Sequence, residues 1–340
     1  MLSLEVLVAG SIVVALNLYM LMGGADYGGG VWDLLASGSR ARQQRDLIAH
    51  AIGPIWEANH VWLILAITIL FTGFPLAFST ITTFLHLPLL IMLIGIVFRG
   101  TAFAFRSYDL PNDRAQARWS LLFSISSLLT PILLGTTLGT IASGRLVRTA
   151  GNFRQTYVDP WLARFPLAVG LFALSLFSFL AAVYLTVEAS EPDLKNDFRR
   201  RSLWSGALVG LMAIIVFVLA RTGAPELRQQ MIQSSWAWPL QTTTAIAAAA
   251  GYVALWARRF LVARYAAIVQ STLIMWGWAL AQFPNIIMPD LSIHDAAAPP
   301  TTLRLLVLAL GAGAVILLPS FVYLLRIFKK DATSTREMKS

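Results

Sequence analysis

An all-α integral membrane protein with about nine transmembrane helices is the fold that this sequence of 340 residues predicts, on three observations. Hydrophobic residues make up 57% of the chain and charged residues only 13%, about half the charged share of an ordinary soluble domain. The apolar residues come in blocks of about 20, the length that crosses a hydrocarbon core. Lys and Arg gather in alternate breaks between those blocks, as the loops of a polytopic protein require.

Apolar runs set against charged or Pro/Gly breaks place the spans near 4–25, 53–72, 76–104, 119–142, 161–186, 203–220, 239–257, 262–282 and 304–327. No Lys or Arg precedes Arg40, so the first block lacks the basic leader of a cleaved signal peptide and reads as a retained span. The segment 39–50 (SRARQQRDLIAH) is basic, with apolar residues only toward its end; a short helix on the inner membrane surface and a solvated loop both fit. The second span starts beyond Pro54 and the third beyond Pro75. The loop at 143–160 is the best division of the chain, with four spans before it and five after. Two four-helix bundles plus one peripheral helix fit this count, over 1–145, 146–285 and 286–340 with the cytoplasmic tail.

Orientation follows from the cations. With the N-terminus outside, the inner segments hold Arg40, Arg42, Arg45, Arg106, Arg114, Arg118, Lys195, Arg199, Arg200, Arg201, Arg258, Arg259, Arg264, Arg326, Lys329, Lys330, Arg336 and Lys339, 18 of the 26. The outer loops hold Arg145, Arg148, Arg154, Arg164, Arg221, Arg228 and Arg304, and Arg99 lies within a span. This excess predicts an outer N-terminus, a cytoplasmic C-terminus and an odd number of spans. Because the net charge of +9 sits between apolar blocks, it marks loops, not a nucleic-acid face. The absence of Cys excludes thiolate-bound clusters, covalent haem attachment through C-x-x-C-H and any disulfide.

An ionisable side chain at the bilayer centre costs about 2.5–3.5 kcal/mol on insertion scales, so each one within a span is a functional candidate unless depth explains it. Asp26 lies some 22 residues into the first span, about 33 Å along it, which puts it near the inner end. Glu57 falls in the first turn of the second span, on the same side. Arg99 and Arg106 come late in the third span, at or near the inner boundary. Helix-end placement alone would explain Glu57 through the N-terminal dipole and Arg106 through snorkelling. Asp26 faces the negative end of its helix dipole, and Arg99 is the cation that could answer it. Such a carboxylate and guanidinium group would form a hydrated cluster able to hold or pass cytoplasmic protons.

Other signals carry less. Gly23, Gly24, Gly28, Gly29 and Gly30 invite a phosphate-loop reading, yet no strand precedes them and no Gly-Lys-Ser/Thr follows; close helix approach or an unwound helix end fits better. Glu57 and His60 share a face at the spacing of a di-metal helix, but Glu188, Glu191 and Glu226 lack the second motif, so no metal is expected. His86, at mid-span, fits a bond to a neighbouring helix better than a haem ligand. Glu188 fits a surface ion pair with the adjacent basic loop. Trp56, Trp62, Trp119, Trp161, Trp204, Trp236 and Trp238 flank spans and read as interfacial anchors.

Three motifs carry a family resemblance over essentially the whole chain. Gly24-Ala25-Asp26-Tyr27-Gly28 resembles a Gly-Phe-Asp-x-Gly motif, with Ala25 in place of Phe. Ile52-Gly53-Pro54-Ile55-Trp56-Glu57-Ala58-Asn59-His60-Val61-Trp62-Leu63 resembles a stretch in which Trp and an acidic residue precede Asn and Val-Trp-Leu, and is the specific one. Phe98-Arg99-Gly100-Thr101-Ala102-Phe103-Ala104-Phe105-Arg106 resembles the third, with Ala104 where many relatives carry an acid. Phe283-Pro284 and Met288-Pro289 also fit. The chain thus resembles subunit II of the cytochrome bd-type quinol oxidases of the bacterial cytoplasmic membrane.

This resemblance implies a heterodimer with a subunit I that carries haems b558, b595 and d and the quinol site, in a complex that reduces dioxygen to water. It implies two four-helix bundles plus an extra helix, with no catalytic residue and no haem in this chain. A structural quinone or lipid in this subunit and small accessory subunits are left open, as is the quinone used. The acids at the positions of Asp26 and Glu57 are implied to line a proton route from the cytoplasm, with Arg99 and His60 beside them and Trp56, Asn59 and Arg106 in support. His60 stands where relatives often have Gln or Glu, so it either replaces the acid missing at Ala104 or only packs. A proton- or ion-coupled secondary transporter is the alternative, but it would set its carboxylates near the bilayer midplane between repeats.

Overall fold

The computed structural model describes residues 3–52, 56–108, 113–146 and 151–337, without the side chains of 56–58, 106–108, 113–117, 318, 321–322 and 324–337. The order is α1 (Leu4–Leu34), α2 (Ala41–Ile52), α3 (Trp56–Gly73), α4 (Pro75–Phe84), α5 (His86–Tyr108), α6 (Asp113–Ala142) and α7 (Phe153–Tyr157). It continues with α8 (Arg164–Glu188), α9 (Pro192–Gly223), α10 (Pro225–Gln233), α11 (Ala237–Trp256) and α12 (Phe260–Gln282). The hairpin β1 (Asn285–Ile287) and β2 (Leu291–Ser292), α13 (Ile293–Ala296) and α14 (Pro300–Glu337) complete it. Phe283-Pro284 and Met288-Pro289 are cis peptide bonds flanking β1.

The protein is multi-pass. Among the described residues seven helices are long and apolar enough to cross a membrane, and the bent pair α3–α4 makes an eighth candidate. Helix α11 spans 20 residues, but Gln241, Thr242, Thr243 and Thr244 hold it below that apolarity; nine spans require counting it.

Helix α1 is central: it packs against α3, α6, α8 and α12, and α6 and α8 pack against each other. One apolar core joins Tyr19, Tyr27, Trp62, Phe177, Leu180 and Ala267 from α1, α3, α8 and α12. At the end bearing the N-terminus, a second core gathers Val8, Phe74, Leu85, Leu146, Ile287 and Leu303. Helix α14 packs against α1 and α3, and Leu305, Leu308, Val315 and Ile316 lie exposed, as befits a peripheral helix in lipid.

Four expectations change. The third span does not run over 76–104: α3 and α4 meet at a bend of 117°, and a new helix begins at His86. Pro88 explains the break, because it has no N–H for the Phe84 carbonyl and fits in the first turn of a fresh helix. Arg99 therefore lies 13 residues into α5, about 20 Å from its start, and is more central than expected. Asp26 is not at a helix end, since α1 continues to Leu34. The glycines leave that helix intact and serve close approach instead: a Cβ on Gly28 would overlap the Phe177 carbonyl of α8, and one on Gly30 would overlap Ser127 of α6. Trp62 is 6% exposed, a core residue and not an interfacial anchor, whereas Trp204 and Trp238 are exposed.

The basic segment after α1 is helical, and α2 is more than a raft on the surface. Gln44, Ile48 and Ile52 are buried, and Ile48 and Ile52 lie over Gly29. Asp197 of α9 accepts from Arg40 Nε and Nη2 at 2.9 and 2.7 Å and from Gln44 Nε2 at 3.0 Å. Arg201 donates through Nη2 to Gln44 Oε1 at 2.7 Å, and its guanidinium lies over Trp32. The helix is thereby strapped across the end of α1 and α9. Glu188 pairs with Arg264 at 3.6 Å at the same end.

Candidate functional site: a buried ion pair and its polar column

Helices α1, α5 and α6 bring Asp26, Arg99 and Ser127 together in the protein interior. Arg99 Nη1 donates to Asp26 Oδ2 at 2.9 Å, and Nη2 donates to Oδ1 at 2.5 Å, a bidentate pair. The Asp26 and Arg99 side chains are 4% and 2% exposed, so the charges have only each other and their near neighbours to replace water. Arg99 also donates through Nη2 to the Asp26 carbonyl at 3.2 Å and through Nε to Ser127 Oγ at 2.9 Å. The Tyr27 and Phe123 rings lie with their centroids 4.8 Å from its Cζ.

Gly30 makes the Ser127 contact attainable, because any larger residue there would displace the hydroxyl. Tyr27 connects the pair to Tyr19 through a hydroxyl contact of 3.0 Å. The His60 ring of α3 sits against both tyrosines, with centroids at 6.2 and 6.5 Å. Asn59, one residue earlier, is 1% exposed, and its Oδ1 has no hydrogen-bond partner among the described residues. Asp26, Arg99 and His60 thus surround one aromatic cluster, with Asn59 beside it. The side chains of Glu57, Trp56 and Arg106 lie outside the described residues; the Glu57 backbone stands in the first turn of α3.

His86 is not at mid-span. It opens α5 at the α4 junction, where Nδ1 lies 2.8 Å from the Thr83 carbonyl and the ring meets Tyr157 edge-on. Among the described residues no three His, Asp or Glu side chains converge on a point where a metal could sit.

Sequence reasoning missed a second polar layer. Asp33, eight residues past the predicted end of the first span at 25, is in α1 and 1% exposed. Its Oδ2 accepts from Ser120 Oγ at 2.9 Å and from Ser124 Oγ at 3.4 Å. Ser120, Ser124, Ser127 and Thr130 recur every three or four residues along α6, the period of one helix face, and that period was the available signal.

The family model described as "Cytochrome bd terminal oxidase subunit II" matches residues 4–328. The chain is 25% identical over 348 residues to a putative cytochrome bd menaquinol oxidase subunit II of Bacillus subtilis, covering 98% of this chain and 99% of that one. It is 25% identical over 186 residues to cytochrome bd-I ubiquinol oxidase subunit 2 of Escherichia coli, covering 52% of this chain and 46% of the other. A chain of the bd oxidase structure from Geobacillus thermodenitrificans shares its fold, with a TM-score of 0.81 at 22% identity, over 96% of this chain and 99% of that one.

Proposed function

Because the chain belongs to the cytochrome bd terminal oxidase subunit II family, we propose that it is the haem-free partner of a haem-bearing subunit I, in a complex that oxidises quinol and reduces dioxygen to water. The match over 4–328 is the observation that carries this. Haems b558, b595 and d belong to subunit I in this proposal, and this chain supports its assembly. The complex resides in the bacterial cytoplasmic membrane. Nine spans, counting α11, run with the N-terminus outside and the C-terminus in the cytoplasm. The divisions at 1–145, 146–285 and 286–340 belong to the same proposal.

The finer part of the proposal is a proton route from the cytoplasm through Asp26, Glu57, Arg99 and His60. Trp56, Asn59 and Arg106 frame it. Its support is the bidentate Asp26–Arg99 pair inside the membrane, an arrangement costly enough to be kept only for structure or function. Beside the pair, Ser127 accepts from Arg99, and Tyr27, whose ring lies against the Arg99 guanidinium, shares a hydroxyl contact with Tyr19. A secondary transporter has no observation in its favour.

The chain purified from its native membrane should bring a haem-bearing partner with a haem d absorption band. A colourless preparation that carries solute into liposomes overturns the oxidase assignment. For the route, Glu57→Gln should slow quinol-driven oxygen consumption with haem content intact; full turnover removes Glu57 from it.

A further inference from the structure

Asp33 is a buried carboxylate that the route through Asp26 and Glu57 leaves unused. It lies seven residues beyond Asp26, on the same face of α1 and about 10 Å toward the end that bears α2 and the basic loops. Ser120 and Ser124 donate to it. One turn further along α6, Ser127 receives Arg99, which holds Asp26. Ser124 and Ser127 are 1% and 0% exposed, so a single buried face of α6 connects the two carboxylates. Toward the basic end, Arg45 of α2 donates through Nε to the Asp33 carbonyl at 3.4 Å and is itself only half-buried. Asp33 therefore stands between the basic end of the protein and the central ion pair.

We propose that Asp33 is a positioning carboxylate that takes up a proton at the basic end and passes it to Asp26 along the hydroxyl face of α6. It rests on the proton-supply role proposed above. One proton leaves water at the basic end and neutralises the Asp33 carboxylate. It then moves past Ser124 and Ser127, with water molecules bridging the turn between them and the step from Ser127 to Asp26; the Asp33 carboxylate is restored and no electron moves. Two serine donors suit the charged form of Asp33, and the same oxygens accept a hydrogen bond from its protonated form.

The test uses the assembled complex in liposomes, reading quinol-driven oxygen consumption, proton uptake and haem content. Asp33→Asn retains an oxygen for Ser120 and Ser124 but cannot carry a proton; turnover should fall about ten-fold or more with haem content unchanged, and Asp33→Glu should recover most of it. Full turnover in Asp33→Asn with a slow Glu57→Gln overturns this inference alone. Full turnover in both overturns the proton-supply role as well. A glutamate variant as slow as the asparagine variant reduces Asp33 to a bond between α1 and α6 and overturns the proposal. If Asp33→Asn does not assemble, Ser124→Ala decides: a fall of about three-fold or more supports the relay, and an unchanged rate overturns it.

Discussion

Neutralising one member of the Asp26–Arg99 pair should damage the protein far more than neutralising both. Asp26→Asn leaves a guanidinium group that is 2% exposed without a counter-charge, and Arg99→Gln leaves the carboxylate equally stranded. Breaking a buried pair from one side costs about 3–5 kcal/mol, whereas exchanging both partners for neutral groups is often close to neutral. The double variant Asp26→Asn with Arg99→Gln keeps amide donors and acceptors for Ser127 and for the backbone, so its stability should lie above that of either single variant. The coupling energy should be about 3 kcal/mol or more. Thermal denaturation of the detergent-solubilised complex, followed by size-exclusion elution, measures it; each single variant should lose at least about 5 °C in midpoint. Single variants at the parental midpoint, or a double variant as unstable as the sum of the two, would refute the picture of a buried, mutually dependent pair. The same double variant separates stability from transport: if Asp26 carries protons, the restored protein stays slow.

Gly28→Ala should impair assembly, because its methyl group would enter the Phe177 backbone and one helix must move away; a loss of about 1–3 kcal/mol, read as reduced complex yield, is expected. Trp32→Phe removes the indole N–H that donates to the Ser178 carbonyl at 2.8 Å, and should cost about 1–2 kcal/mol in denaturation midpoint experiments. Asp197→Asn removes the bidentate partner of Arg40, whose side chain is 39% exposed, so the global cost should be no more than about 1 kcal/mol and should shrink further with salt. Its signature should be local: faster amide hydrogen exchange in α2 with the rest of the bundle unchanged.

Spans with long apolar runs and charged borders were legible, since hydropathy records the solvent directly: α6, α8, α9 and α12 lie where their blocks predict. Helix α1 was truncated in the sequence reading because glycines and a carboxylate resemble a helix end, and only a partner helix reveals that Gly28 and Gly30 are contact points. The break at Pro88 was obscured by continuous apolarity from 84 to 98, which does not distinguish a helix across the membrane from one lying at its edge. At the site, Asp26 and Arg99 were legible as a candidate carboxylate and its cation, but their depth was not, since α1 runs on to Leu34 and α5 begins only at His86. Their direct bond, and the roles of Ser127, Tyr19 and Asp33, were not, because a serine in a helix donates back to its own backbone as readily as to a distant acid.

The glycine contacts along α8 have a consequence for what can move through this chain. Gly28 against the Phe177 carbonyl, Gly135 against that of Val169 and Gly170 against that of Ile132 seat α1 and α6 on the α8 backbone without intervening side chains. Such a seam acts as a weld: it has no cushion of side chains to rearrange, so parting it would sacrifice packing along most of the membrane's thickness at once. A rocking carrier needs a hinge at that position. For the proton route proposed above, such a fixed wall leaves transfer from one held group to the next as the means of movement.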